Sequence, residues 1–232
     1  MVRPEDISEI GDALKNAGFM QGYIKNDTFV PATRSEIIRS RVMNGETVPY
    51  IKEVNFPFMK YLEIDINFSL DYKNGDSANL SEMISRAKKI TTKNTEIVTL
   101  DKYDFIIHLC EHLYKEATTM PWIKMKRDMT LYKYCDLYYL LQDFGEFDSL
   151  MLISRIKLTN TEDTCYYAIA STKYLFNNDC KAYNYFFRSI KPKDHRILER
   201  IENPSGAKPL FYKEKNIKKR FFSNNRVSMI GE

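Results

Sequence analysis

Two carboxylates are the first residues of this chain that could do chemistry. Glu63 and Asp65 lie in the run 61–70, which reads YLEIDINFSL. In an extended strand, residues i and i+2 project to the same face, about 7 Å apart by strand rise. Two hard oxygen donors at that spacing suit shared coordination of Mg²⁺. The same pattern also suits the solvent-facing side of an antiparallel strand. A second candidate is His108, Glu111 and His112, in HLCEH. It has the H-x-x-E-H form of a zinc-peptidase class, and two His at i and i+4 on a helix can reach one zinc ion. Such a site needs a third ligand, and the only other His is His195, in a lysine-rich segment. The three residues read equally as polar positions of a packed helix. The segment 136–141, DLYYLL, has the Tyr and Leu density of a core helix. The segment 218–226, KKRFFSNNR, interleaves basic and aromatic residues, as a nucleotide-stacking element does. Its expected role is to anchor a terminal segment through Phe221 and Phe222.

The elements that position these residues can be read from periodicity. Leu62, Ile64, Ile66, Phe68 and Leu70 alternate with Tyr61, Glu63, Asp65, Asn67 and Ser69. The alternation predicts one strand over 61–70, with an apolar face toward a core and Glu63, Asp65 and Asn67 in a row on the other. Upstream, Pro4, Glu5 and Asp6 open a helix, with acids where its dipole favours them. Ile7, Ile10, Leu14 and Ala17 hold helical spacing, and Gly18 ends the helix. Residues 19–24, a turn at 25–27 and residues 28–31 predict a hairpin. The polar stretch 35–44 is a short helix or a mobile loop. Beyond residue 75 the pattern is helical, over 80–87, 101–117, 132–144, 149–158, 161–176 and 183–188. Of these, 132–144 is apolar around much of its circumference, which predicts burial. Pro204, Gly206 and Pro209 mark an extended linker into a basic tail, in which the stretch 208–226 holds a single acid, Glu214. The expected fold is α+β, with a strand-bearing part over 1–75 and a helical part over 76–232.

Composition narrows the function classes. With 44% hydrophobic and 28% charged residues among 232, the chain is neither disordered nor a coiled-coil rod. Its apolar runs fall short of the ~20 residues a membrane span needs. The charged N-terminus has no apolar signal core, so no membrane partner and a cytoplasmic location are expected. A net charge of +4, from 35 basic and 31 acidic residues, does not by itself indicate nucleic acid. Four Cys without a CxxC pair read as reduced, mostly buried thiols.

In combination, EIDINFSL, YDFIIHLCEHLYKEA, a Trp-containing turn, YKYCDLYYLLQ and KKRFFSNNR resemble the bacterial uncharacterised nucleotidyltransferase family of the DNA polymerase β-like superfamily. The resemblance covers nearly the whole chain. It implies a partial nucleotidyltransferase-like mixed sheet followed by a helical C-terminal half. It also implies Mg²⁺-dependent transfer of a nucleotidyl group from an NTP to an acceptor hydroxyl, with pyrophosphate released. The superfamily holds two Mg²⁺ ions on three carboxylates. Asp65 matches the third, as metal ligand and possible base, and Glu63 could assist. Asn67 stands where many relatives have His. Arg34, Arg39 and Arg41 precede the strand and could reach the triphosphate or stand on the surface. The first two carboxylates come from an Asp-x-Asp pair after a Gly-Ser turn. The opening MVRPEDISEIGDALKNAGF is similar to the segment just after that pair in relatives, which places Met1 immediately past it. The expectation is therefore a truncated or degenerate chain, weakly active by itself. A non-catalytic binding or regulatory module of the same fold, and a zinc hydrolase built on HLCEH, are the alternatives. The implied partners are a nucleoside triphosphate and an acceptor that could be a small molecule, a peptide or a protein.

Overall fold

In the computed structural model, which describes residues 1–70, 77–203 and 208–231, a 3-10 turn at Pro4–Asp6 runs into α1 (Ile7–Asn16). Gly18, at φ +86°, ends the helix in the left-handed conformation that favours glycine. Next comes the expected hairpin, β1 (Met20–Lys25) and β2 (Thr28–Pro31), paired antiparallel with Lys25 opposite Thr28. Asn26 and Asp27, at φ 50° and 57°, form its two-residue loop. Two left-handed residues give a turn whose twist matches that of the flanking strands.

The polar stretch after the hairpin is a helix, α2 (Arg34–Asn44). Its start is set by a reciprocal cap: Glu36 N–H donates to Thr33 Oγ1 (3.3 Å), and Thr33 N–H donates to Glu36 Oε2 (2.7 Å). Such a box satisfies two backbone donors that a helix start leaves open, which compensates for the missing apolar stripe. Two more strands are β3 (Tyr50–Phe56) and β4 (Met59–Ile64), of which β3 had no clear signal in the sequence. The four strands form one antiparallel sheet in the order β2-β1-β3-β4. Tyr50 lies opposite Ile64 and Ile51 opposite Glu63.

The single strand expected over 61–70 is shorter than predicted and ends at Ile64. β3 begins at Tyr50, the partner of Ile64, so residues beyond 64 have no strand to pair with. They are held by the preceding loop instead: Thr47 N–H donates to Ile66 O and Phe68 N–H to Gly45 O, both at 2.9 Å. The apolar face survives the break. Ile66 and Leu70 are buried, and Leu62 packs on a core of Phe19, Tyr50 and Ile66 beneath Ile10 and Leu14 of α1. Ile64, on the edge strand, is partly exposed.

Beyond residue 75 the chain is not uniformly helical. After α3 (Ser77–Ser85) comes a two-stranded hairpin, β5 (Lys88–Thr91) and β6 (Glu96–Thr99). The described chain divides into two units, Met1–Val98 and Thr99–Glu232. The second is built on α4 (Lys102–Thr118), which packs against α5 (Met120–Lys124), α6 (Leu131–Gln142), α7 (Glu146–Leu158) and α8 (Glu162–Phe176). Ile106, Ile107, Cys110, Leu113 and Ala117 of α4 are buried there. Next come α9 (Lys181–Ser189), β7 (Arg200–Ile201), β8 (Leu210–Tyr212), α10 (Ile217–Phe221) and β9 (Ile230–Gly231). The last three strands form a small antiparallel sheet that packs Ile201 and Tyr212 on Ile123 of α5. Of the expected linker, Pro204 and Gly206 lie outside the described residues.

The α+β class is as expected, with a small sheet followed by a helical half. The helix expected to be buried around much of its circumference is buried on one side only. Tyr134, Leu137 and Leu141 of α6 are in the core, while Tyr132 and Tyr139 are exposed. An aromatic ring with a phenol tip tolerates water, so apolar content overstates burial for tyrosine-rich helices. Among the described residues, no helix is long and apolar enough to cross a membrane.

Candidate functional site

The two carboxylates sit where the edge of the first sheet passes into irregular chain. Glu63 is in β4, cross-strand from Ile51. Asp65 comes just after the strand end. The next residue, Ile66, 4% exposed, is turned into the core against Phe19 and Tyr50. Asp65 itself is exposed, just past the end of β4. Both carboxylates are exposed, and neither makes a hydrogen bond or ion pair among the described residues.

The strand register adds a residue that the sequence did not single out. Glu53 of β3 lies opposite Tyr61 and so diagonal to Glu63 on the same face. Glu53 does not complete a three-carboxylate set: among the described residues, no group of three His, Cys, Asp or Glu side chains could hold a metal ion. Glu63 and Asp65 alone suit one hard cation. Mg²⁺ is commonly bound by one or two carboxylates, with waters and substrate phosphates completing its shell.

Arg34 and Arg39 are both exposed on α2, and Arg41 is half-buried. Five residues apart, Arg34 and Arg39 are about 140° apart around the helix axis, so they leave it in different directions. The helix lies near β1. Burial, and then the charges of Glu36 and Glu46, push the Tyr23 phenol of β1 above its ordinary value. The helix thus does not pair Arg34 with Arg39.

The HLCEH segment is on α4, where Glu111 and His112 are engaged by neighbouring side chains and His108 Nδ1 is buried without a hydrogen-bond partner. The Glu111 carboxylate accepts from the Thr164 hydroxyl of α8. The His108 and His112 rings stack with centroids 6.1 Å apart. His112 Nε2 is 3.0 Å from Glu116 Oε1, and the buried Lys133 of α6 binds the other oxygen of Glu116. Burial works against that carboxylate, but the bonds from His112 and Lys133 outweigh it and hold Glu116 below its ordinary range. Burial first, and then the neighbouring His112, lower His108 to about 4. This is an inter-helical packing network in which Glu111 already has a partner.

Residues 1–177 match the family described as uncharacterised nucleotidyltransferase, a span that holds the first sheet, Glu63, Asp65 and the helices α4 to α8. The chain belongs to this family. Neither a curated protein nor a solved structure matches it. In this nucleotidyltransferase-family chain the basic tail lies beyond the matched span, and it is anchored, though chiefly by arginines. Arg226 forms a two-bonded pair with Asp128, Nε to Oδ2 and Nη2 to Oδ1, each 2.7 Å. Arg220 is buried with Nη1 on the Leu198 carbonyl at 2.7 Å. Phe221 meets the Tyr134 ring edge-on, but Phe222, expected as a second anchor, is 78% exposed.

Proposed function

We propose that this chain acts in nucleotidyl transfer, moving a nucleotidyl group from an NTP to an acceptor hydroxyl, with Glu63 and Asp65 at the metal–nucleotide site. The observation that carries this is a pair of exposed carboxylates, one in β4 and one just past its end, neither of them bonded among the described residues, in a chain of this family. Mg²⁺, when bound, neutralises phosphate charge and orients the triphosphate for in-line attack. Asp65 and Glu63 supply its protein ligands. Asp65, held by Ile66 and the 45–47 loop, is also placed to accept the acceptor's proton. Arg34 or Arg39, each on its own side of α2, contributes a contact to the triphosphate.

The test is calorimetric titration of ATP and the other NTPs, with and without Mg²⁺, into the wild type and Asp65→Ala. The expected result is Mg²⁺-dependent binding that weakens about tenfold or more in the variant, the worth of a charge-assisted contact. Binding that is indifferent to Asp65→Ala places the nucleotide away from this strand. No binding at millimolar NTP favours a non-catalytic module of the same fold.

A further inference from the structure

The helical unit contains a second concave site, remote in sequence from Glu63 and Asp65. Tyr174 and Asn177 at the end of α8, Leu198 and Glu199 before β7, and Lys215 and Lys218 around the start of α10 line a cleft of about 440 Å³. Small-molecule sites commonly span ~300–1,000 Å³. The family match ends at residue 177, so most of this wall lies beyond it.

Asn216, also in the wall, is spent on capping α10, where its Oδ1 accepts from Lys219 N–H, but the charged side chains of the cleft are not paired. Lys215 and Lys218 are exposed, and neither ammonium makes an ion pair or hydrogen bond among the described residues. The Glu199 carboxylate is half-buried and equally free of such bonds. Tyr174 presents an exposed ring. Behind the wall is Arg220, 1% exposed, whose Nη1 holds the Leu198 carbonyl while Nε and Nη2 have no partner. Its guanidinium lies over the Tyr212 ring, 4.7 Å from the centroid, and so fixes the Leu198 side of the cleft from beneath.

We infer that this cleft binds a small phosphomonoester that carries hydroxyl groups, of the sugar-phosphate class. Two ammonium groups match the charge of a phosphomonoester, about −1.5 to −2 at neutral pH, better than that of a single carboxylate. Lysine serves such a group as a point charge. Glu199 and Asn177 offer acceptors for the hydroxyls, and the Tyr174 ring offers a flat apolar face. Opposite charges left unpaired around one cavity fit a ligand with an anionic end and a hydrogen-bond-donating end. The inference is independent of the nucleotidyl-transfer reading.

Amide NMR titration of the full chain tests it, with glucose 6-phosphate, inorganic phosphate and glucose as probes. Glucose 6-phosphate is expected to shift the signals of Asn177, Glu199, Lys215 and Lys218 saturably, and more tightly than either other probe. Lys215→Ala with Lys218→Ala, both exposed and so compatible with the fold, should weaken it about tenfold or more. Glu199→Gln should weaken glucose 6-phosphate while leaving inorganic phosphate unchanged. The inference is overturned by any of three results: no saturable shift up to the order of 10 mM, equal binding of inorganic phosphate and glucose 6-phosphate, or unchanged affinity in the double variant.

Discussion

Replacing Arg226 with alanine strands a carboxylate in the core of the helical unit. The Asp128 side chain is fully buried and Arg226 is 9% exposed, with two bonds of 2.7 Å between them. Arg226 Nη1 also donates to the Phe221 and Ser223 carbonyls, at 3.3 and 2.7 Å. A surface pair contributes roughly 0–1 kcal/mol, and its loss would hardly register. Removing one partner of a buried pair costs about 3–5 kcal/mol, because the remaining charge is out of water without compensation. At roughly 2–4 °C per kcal/mol for a chain of this size, Arg226→Ala should lower Tm by roughly 6–20 °C. The assay is a thermal melt followed by the helical circular dichroism signal, on the two single variants and on Asp128→Ala with Arg226→Ala. The double variant has no stranded charge, so it should lose less than the sum of the singles. Arg226→Lys should rescue poorly, since an ammonium cannot make the planar two-bonded contact. A single variant melting within about 2 °C of wild type, or strict additivity in the cycle, refutes the reasoning.

Packing and titration give two further expected outcomes. At Gly22 of β1, a Cβ would sit 2.3 Å from the Val30 carbonyl and 2.5 Å from the Phe29 ring. Gly22→Ala should therefore cost about 1–3 kcal/mol in a urea melt, and an unchanged midpoint would contradict the hairpin packing. His108 takes up a proton near pH 6.5 when unfolded but resists it to about 4 in the fold. Between those values the unfolded chain binds more protons, so stability should fall as the pH drops through that window and stay flat above it. Urea melts at pH 7 and pH 5 should show a larger loss for the wild type than for His108→Gln, and equal losses would exclude His108 as the source.

The hairpin at Asn26-Asp27, the helix closed by Gly18 and the long helices of the second half were legible because each is set by nearby residues. Turn chemistry, caps and 3.6-residue spacing act within a few positions of the chain. The break in the 61–70 strand was not legible. Its alternation runs unbroken to Leu70, and only the starting point of β3, at Tyr50, decides that the regular ladder stops at Ile64 and leaves a lone bridge between Glu46 and Asn67. β5 and β6 were missed because their side chains are mostly exposed, leaving no apolar alternation to read.

The candidate site divides in the same way. Glu63 and Asp65 could be placed on one face from sequence alone, because neighbours at i and i+2 share a face wherever the chain is extended. That the strand ends before Asp65, with Ile66 entering the core and its carbonyl taken by Thr47 N–H, was decided by the tertiary structure. The polar look of HLCEH said nothing of Thr164, which meets Glu111 from α8, or of Lys133, which holds His112's partner Glu116 from α6. A basic tail could be seen in the composition, but its latch could not. Arg226 finds Asp128 across a separation of 98 residues, and such a pairing is chosen by the packing of the whole helical unit rather than by any local pattern. Periodicity and turn chemistry are properties of short stretches of backbone, so a sequence displays them directly; strand partners, buried ion pairs and clefts join distant stretches, so they exist only once the chain has packed.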